Sequence, residues 1–438
     1  MGILLKNGRL LNFATGELEA RDVLIEGERL AKIAKAGEVS GDGHEVRDLN
    51  GHAILPGFID MHVHLRQPGY EAKETIETGT KAAARGGYTV VACMPNTRPV
   101  IDTPERIRYV YDVTEREGSC TVLPYGAITM GELGEELTDA VALKNAGAVA
   151  LTDDGVGVQS SAMMREAMRR AAELDIAVVI HSEDEDLAKN GCMNEGVVSR
   201  RLGLPGIPGL AESAMIARDI LLAEETGAHL HVCHISDYQS VELVRWAKSR
   251  GLKVTTEVTP HHLLLTEEII DATDGQDANM KVNPPLRSER DRLACLQGLL
   301  DGTIDMVATD HAPHTEEEKK RPFQTAPFGF VGLEFAFPVL YTELVEKGGL
   351  LSLGELVQKF TSNPAQVFRL EGGEVAEGKI ADLTVVDLET ERMIDPSQFF
   401  TKGRNTPFAG RTAKGWSVLT INRGRVTYEN IQEGAEIR

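Results

Sequence analysis

In "GFIDMHVHLRQPG", residues 57–69, His62 and His64 stand one residue apart at the end of an apolar run, with Arg66 close behind. Side chains at i, i+2 and i+4 of a strand share a face, so this alternation aims two imidazoles and a guanidinium at one spot. Further along, similar apolar runs end in Asp153-Asp154, His181, His234 and Asp310, with His311 and His314 beyond. Four imidazoles with two carboxylates exceed what one tetrahedral ion with an open position needs. They suit two ions sharing a bridging carboxylate. Imidazole and oxygen donors favour zinc, with cobalt, manganese and iron as alternatives. Cys233 directly precedes His234 and, by strand alternation, is expected to point away from the site. Two ions lower the pKa of water held between them, and Asp310 is placed both to bind one ion and to take that proton. Arg66, Asn96 and His314 form a second group of donors suited to a substrate carboxylate. The chemistry implied is metal-assisted hydrolysis, or its reverse, on a small anionic amide.

The elements that must position these residues read as alternating strands and helices. Apolar strands are expected at "GFIDMHVHL", "YTVVACMPN", "CTVLPYGAIT", "AVALTDDG", "IAVVIHSED", "HLHVCHIS", "KVTTEVTPHH" and "IDMVATDHAPH". Runs such as "ETIETGTKAAARGG", "GELGEELTDAVALKNAG" and "SVELVRWAKSRG" between them have helical apolar spacing. Eight βα units over residues 56–367 predict a (β/α)8 TIM barrel, whose C-terminal strand ends converge on one face. Residues 1–55 and 368–438 read instead as short strands punctuated by Gly and Asn. Together they are expected to form one small β-sandwich domain built from both chain ends. The segment "APHTEEEKKRPFQTAPFGF" after the last barrel strand shows neither periodicity. It is expected to be a lid with a protease-accessible tip near Lys319–Arg321.

Composition narrows the partners. A net charge of −21 argues against nucleic acid or anionic membrane. Five cysteines without a CxxC pair read as reduced, buried thiols of a cytoplasmic protein. The N-terminus shows no signal-peptide pattern, Lys6 stands where a myristoylation motif needs Ser or Thr, and no apolar run approaches the ~20 residues of a membrane span.

"DMHVHLRQPG" resembles the opening signature of the amidohydrolase superfamily, and "HLRQPG", "MPNTRPVIDTPE" and "ATDHAPH" together resemble dihydroorotases of the bacterial long-chain type. The resemblance runs over essentially the whole chain, and "GEVAEGKIADLTVVDL" is similar to the segment returning to the split β domain. It implies a zinc-dependent cyclic amide hydrolase with two Zn2+ ions per subunit, interconverting N-carbamoyl-L-aspartate and L-dihydroorotate in pyrimidine synthesis. By this resemblance His62 and His64 bind one metal, His181 and His234 the other, and Asp310 completes the first site as general acid/base. His64, Arg66, Asn96, Asn283 and His314 hold the substrate, with backbone contacts from Phe328 and Gly329. Many superfamily members bridge their metals with a carboxylated lysine. Here the nearest upstream lysine, Lys144, falls in the preceding helix, so an aspartate takes that place. Family spacing to His181 points to Asp154, with Asp153 the alternative. His229, His231, His261 and His262 are expected to be structural or supporting. A homodimer follows family habit, and some lineages associate with aspartate transcarbamoylase. Two other readings stand beside this one. The first is another cyclic amidohydrolase (dihydropyrimidinase, hydantoinase or allantoinase), against which the missing lysine and the Arg66/Asn96 pair weigh. The second is a non-catalytic dihydroorotase-like subunit, which should have lost metal ligands; none is missing.

Overall fold

The first strands of the chain pair with its last ones. In the computed structural model, which describes residues 2–431, the N-terminal part forms β1 (Ile3–Leu11), β2 (Leu18–Glu26), β3 (Arg29–Lys35), β4 (Glu45–Asp48) and β5 (Ala53–Pro56). The chain then enters the barrel through β6 (Phe58–Val63), β7 (Tyr88–Cys93), β8 (Thr121–Pro124), β9 (Val178–Ile180), β10 (Leu230–Val232), β11 (Val254–Val258) and β12 (Met306–Val307). It returns as β13 (Leu383–Asp387), β14 (Trp416–Asn422) and β15 (Arg425–Glu429). One sheet runs β15-β14-β13-β5-β1-β2-β3, with β4 paired to β1. The two chain ends join where β13 lies antiparallel to β5, Leu383 opposite Pro56.

The barrel is a parallel ring. β6, β7 and β8 form one ladder and β9, β10, β11 and β12 another. Single parallel bridges close it: Leu151 pairs with both Gly126 and Val178, and Val63 pairs with His311. The expected fourth strand, "AVALTDDG", is thus reduced to a bridge at Leu151. Every residue of β6 and β7 is buried, as a parallel sheet covered on both faces requires. At the closed end Phe58 stacks on Phe337 with ring centroids 4.5 Å apart; burying such a ring contributes about 1.5–3 kcal/mol.

Helix starts follow local chemistry. The Thr75 hydroxyl accepts from Thr78 N in a capping box that opens the helix Ile76–Arg85. Asp237 caps Tyr238–Ser249 by accepting from Gln239 N and Ser240 N. The run "GELGEELTDAVALKNAG" is α-helical only over Ala140–Ala146, capped by Asp139. Ahead of it the chain turns through Gly131, at φ 62°. Residues 394–410 leave the terminal sheet and lie on the barrel, burying Ile394, Phe399 and Phe408 in its core.

Candidate metal centre

His62 and His64 emerge from the end of β6, Asp154 follows the Leu151 bridge, and His181 follows β9 directly. His234 lies beyond β10 and Asp310 beyond β12. All six are buried. Their donor atoms form two groups, His62 with His64 and Asp310, and Asp154 with His181 and His234. Asp310 Oδ1 lies 3.1 Å from His64 Nε2 and 3.5 Å from His62 Nε2. Asp154 stands between the groups. Its Oδ1 is 3.5 Å from His62 Nε2, 3.8 Å from His181 Nδ1 and 3.9 Å from His234 Nε2, while its Oδ2 is 3.5 Å from His64 Nε2. His181 Nδ1 faces His234 Nε2 at 3.0 Å.

This donor set fits cations. His62 Nε2 and Asp154 Oδ1 are buried without a hydrogen-bond partner among the described residues although they face each other. Buried polar atoms are rarely left unpaired, and orphans converging on one point are what a bound ion satisfies. Burial, with the charges of His181 and His62, pushes the His234 imidazole down to about 3, so it is neutral, as a ligand must be. Burial alone would raise the Asp310 carboxyl; the hydrogen bond with His64 and the neighbouring His62 and His64 imidazoles hold it below its ordinary range.

The surroundings orient the ligands. Glu257, on β11, accepts from His62 Nδ1 at 2.7 Å, which leaves Nε2 as the lone pair facing the centre. The other Glu257 oxygen meets His231 Nε2 at 3.2 Å. His231 is therefore a supporting residue, and His229 shares Thr255 Oγ1 with it. Nothing in the sequence reading singled out Glu257. The available signal was a carboxylate inside the otherwise uncharged run "VTTEV". Asp153 turns away: its carboxylate accepts from Ile128 N, Thr129 N and the Thr129 hydroxyl. Lys144 Nζ donates to Leu174 O, away from the site. His262 is tied to Thr259 and Pro284 O, and His261 packs edge-on against Phe330.

Cys233 corrects an expectation. Its Sγ lies within 4.8 Å of the donor atoms of His62 and Asp154 rather than pointing away. β10 stops at Val232, and His234 sits at φ 30°, so alternation no longer governs these positions. Burial holds the thiol far above its usual range.

A cavity of about 190 Å³ opens over these ligands, lined also by Arg66, Asn96, Gly155, Asn283, Ala312, His314, Phe328 and Gly329. It is smaller than the ~300–1,000 Å³ of drug-sized sites, so its ligand is small. Arg66 lies past the end of β6 and reaches the wall through a left-handed turn, φ 61°. Such a backbone costs a side-chain-bearing residue about 1–2 kcal/mol. Arg66 forms no ion pair among the described residues; its Nε donates to Pro313 O at 3.3 Å. His314 Nε2 lies 2.7 Å from Phe328 O, and Lys73 Nζ approaches its Nδ1 at 3.3 Å. Asn283 Oδ1 is buried and has no hydrogen-bond partner among the described residues. Asn96 is engaged at both ends, its Oδ1 with His64 Nδ1 at 3.0 Å and its Nδ2 with Asp154 Oδ2 at 3.1 Å.

The segment expected to be a lid is helical over Glu316–Lys319 and otherwise irregular. Thr315 and Glu318 form a capping box for this short helix; of the expected tip, Lys319 is buried while Lys320 and Arg321 are exposed. Gly329 sits at φ 114°, and a Cβ there would meet Ala312 Cβ at 2.6 Å. Its amide donates to Lys281 O at 2.9 Å and its carbonyl accepts from Asn405 Nδ2 at 3.0 Å.

Known proteins resemble the chain throughout. A family model described as "Dihydro-orotase-like" matches residues 51–240, and one described as "Amidohydrolase family" matches residues 294–428. A dihydroorotase of Brevibacillus brevis is 56% identical over 98% of this chain and 100% of its own length. One from Anoxybacillus flavithermus is 53% identical over 98% of this chain and 99% of its own. Among solved structures, an L-hydantoinase (dihydropyrimidinase) from Arthrobacter aurescens superposes with a TM-score of 0.85 at 27% identity, covering 98% of this chain and 96% of that one.

Proposed function

The chain belongs to the dihydroorotase family, and from that premise we propose that it interconverts N-carbamoyl-L-aspartate and L-dihydroorotate at a centre of two divalent ions, zinc first among them. The observation that carries the reading is Arg66, a cation without an ion-pair partner among the described residues, on the wall of a small cavity whose floor is the histidine–aspartate cluster. A guanidinium so placed meets a carboxylate in two-pronged geometry. His62, His64 and Asp310 would hold one ion and His181 and His234 the other, with Asp154 placed to serve both. When bound, the ions polarise the amide carbonyl and make water nucleophilic near neutral pH.

The side chains do the rest. Arg66 takes the substrate carboxylate, with His314 beside it at 3.4 Å. The unpartnered Asn283 Oδ1 accepts a ring N–H, and Asn96 holds His64 and Asp154 in register. Asp310, with Oδ1 against the histidines, receives a proton at Oδ2 from the attacking water. It passes that proton to the ring nitrogen as the carbon–nitrogen bond breaks. The reverse sequence closes the ring and releases water. A cytoplasmic homodimer serving pyrimidine synthesis belongs to the same reading.

The test is a substrate panel on purified protein with elemental analysis of its metals. Dihydroorotate is expected to turn over in preference to dihydrouracil, hydantoin and allantoin, with two zinc ions per chain. Preference for an uncharged ring, or a metal-free active protein, would overturn the proposal.

A further inference from the structure

Lys281 and Lys319 are buried cations that the reaction leaves unused. Lys319 Nζ donates to the carbonyls of Gly329 at 2.9 Å, Pro327 at 3.1 Å and Lys281 at 3.4 Å. Lys281 Nζ donates to those of Ala326 at 2.7 Å and Gln324 at 3.0 Å, and it stands 4.3 Å from the centre of the Phe328 ring. Their relative exposures are 3% and 8%, and neither forms an ion pair among the described residues. Taking an ammonium out of water is costly unless fixed dipoles replace its hydration. Here main-chain carbonyls supply those dipoles. Burial, and then the charge on Lys281, pushes the Lys319 ammonium down to about 7, the sign expected for such surroundings.

The chain gathered by these two groups has no helix or strand between residues 320 and 329. Its carbonyls have no ladder of their own, and buried main-chain acceptors must find donors somewhere. The two ammonium groups supply them at five carbonyls. Four belong to the loop and the fifth to Lys281 itself, two residues before Asn283. The clamp therefore ties the loop to the Asn283 side of the same cavity, a connection reinforced by Gly329 N donating to Lys281 O.

We propose that Lys281 and Lys319 are positioning residues of the substrate pocket: their ammonium groups gather the carbonyls of residues 324–329 and thereby set Phe328 and Gly329 against the cavity over the metal centre. This rests on the dihydroorotase reading, and the test separates the two. Full-length wild type, Lys319→Met and Lys281→Met are compared by metal analysis, dihydroorotate kinetics and amide hydrogen exchange. Each variant is expected to raise KM about tenfold or more with kcat within about threefold. Metal content stays at the wild-type level, and exchange quickens across residues 322–331 but not across the barrel strands. Lys319→Ala is expected to recover KM in saturable fashion with added propylammonium, which restores the missing cation. Wild-type KM and wild-type exchange in both variants would overturn the clamp, as would metal loss with faster exchange throughout the barrel. If Lys319→Met does not fold, Lys281→Met decides by the same measures. A wild type inactive on dihydroorotate would overturn the substrate reading alone, since the exchange comparison still judges the clamp.

Discussion

At the scale of single residues, adjacent aspartates have opposite fates. Asp154 directs one oxygen at three histidines, while Asp153 spends its carboxylate on two amides and a hydroxyl. Asp154→Ala is therefore expected to lower metal content and turnover together. Asp153→Ala is expected to keep its metals but lose stability on the order of 1–3 kcal/mol, because Ile128 N and Thr129 N are left buried without acceptors. Elemental analysis beside thermal unfolding checks the pair, and equal metal loading of wild type and Asp154→Ala would count against the bridging role. Arg66 gives a second contrast. Its guanidinium touches none of the six proposed ligands, so Arg66→Met is expected to retain metal. A charge-assisted pair is worth about 2–3 kcal/mol, so KM for dihydroorotate should rise roughly 30- to 150-fold. An unchanged KM would remove Arg66 from the substrate wall.

At the scale of elements, the sequence revealed what periodicity encodes and hid what tertiary contacts decide. The polar residues ending each apolar run were legible because the apolar pattern of the strand gives way to polar side chains at one point, so His62, His64, His181, His234 and Asp310 could be read directly. Cys233 was misread because alternation holds only while the strand lasts, and β10 ends one residue earlier. The short helix Glu316–Lys319 carried its signal in "TEEE", a capping pattern, but the charge of the stretch suggested an exposed loop. Lys319 is buried because main-chain carbonyls more than four residues away solvate it, and no local pattern encodes that. Glu257 was silent for the same reason: its partner His62 lies five barrel strands away in the chain order. Its role is testable. Glu257→Gln keeps the size of the side chain but not the acceptor strength that fixes the His62 proton at Nδ1. Metal affinity is expected to weaken about 10- to 100-fold, measured by competition with a chromophoric chelator. Unaltered affinity would show that His62 is oriented by packing alone.

At the scale of the whole molecule, the two ends of the chain close one sheet and one of them also reaches the active face. Residues 394–410 cross from the sheet to the barrel rim, where Thr401 contacts Glu74 and His311. Asn405 contacts two substrate-wall residues there: its Oδ1 accepts from His314 N at 3.4 Å and its Nδ2 donates to Gly329 O at 3.0 Å. The chain also carries a net charge of −21 while its substrate is an anion. Long-range attraction therefore cannot hold that substrate, and local geometry around Arg66 and His314 must. Anything that loosens His314 or the 328–329 turn should then appear in substrate affinity before it appears in metal binding. Asn405→Ala makes the case, since it lies outside the barrel's own strands and helices and touches no proposed metal ligand. Its loss leaves a buried amide at His314 without its acceptor, a cost of about 1–2 kcal/mol. KM for dihydroorotate is expected to rise about 5- to 30-fold, with metal stoichiometry and kcat near wild type. Steady-state kinetics with elemental analysis checks this. A wild-type KM in Asn405→Ala would mean that the returning segment only covers the barrel, and that the pocket is set within the barrel itself.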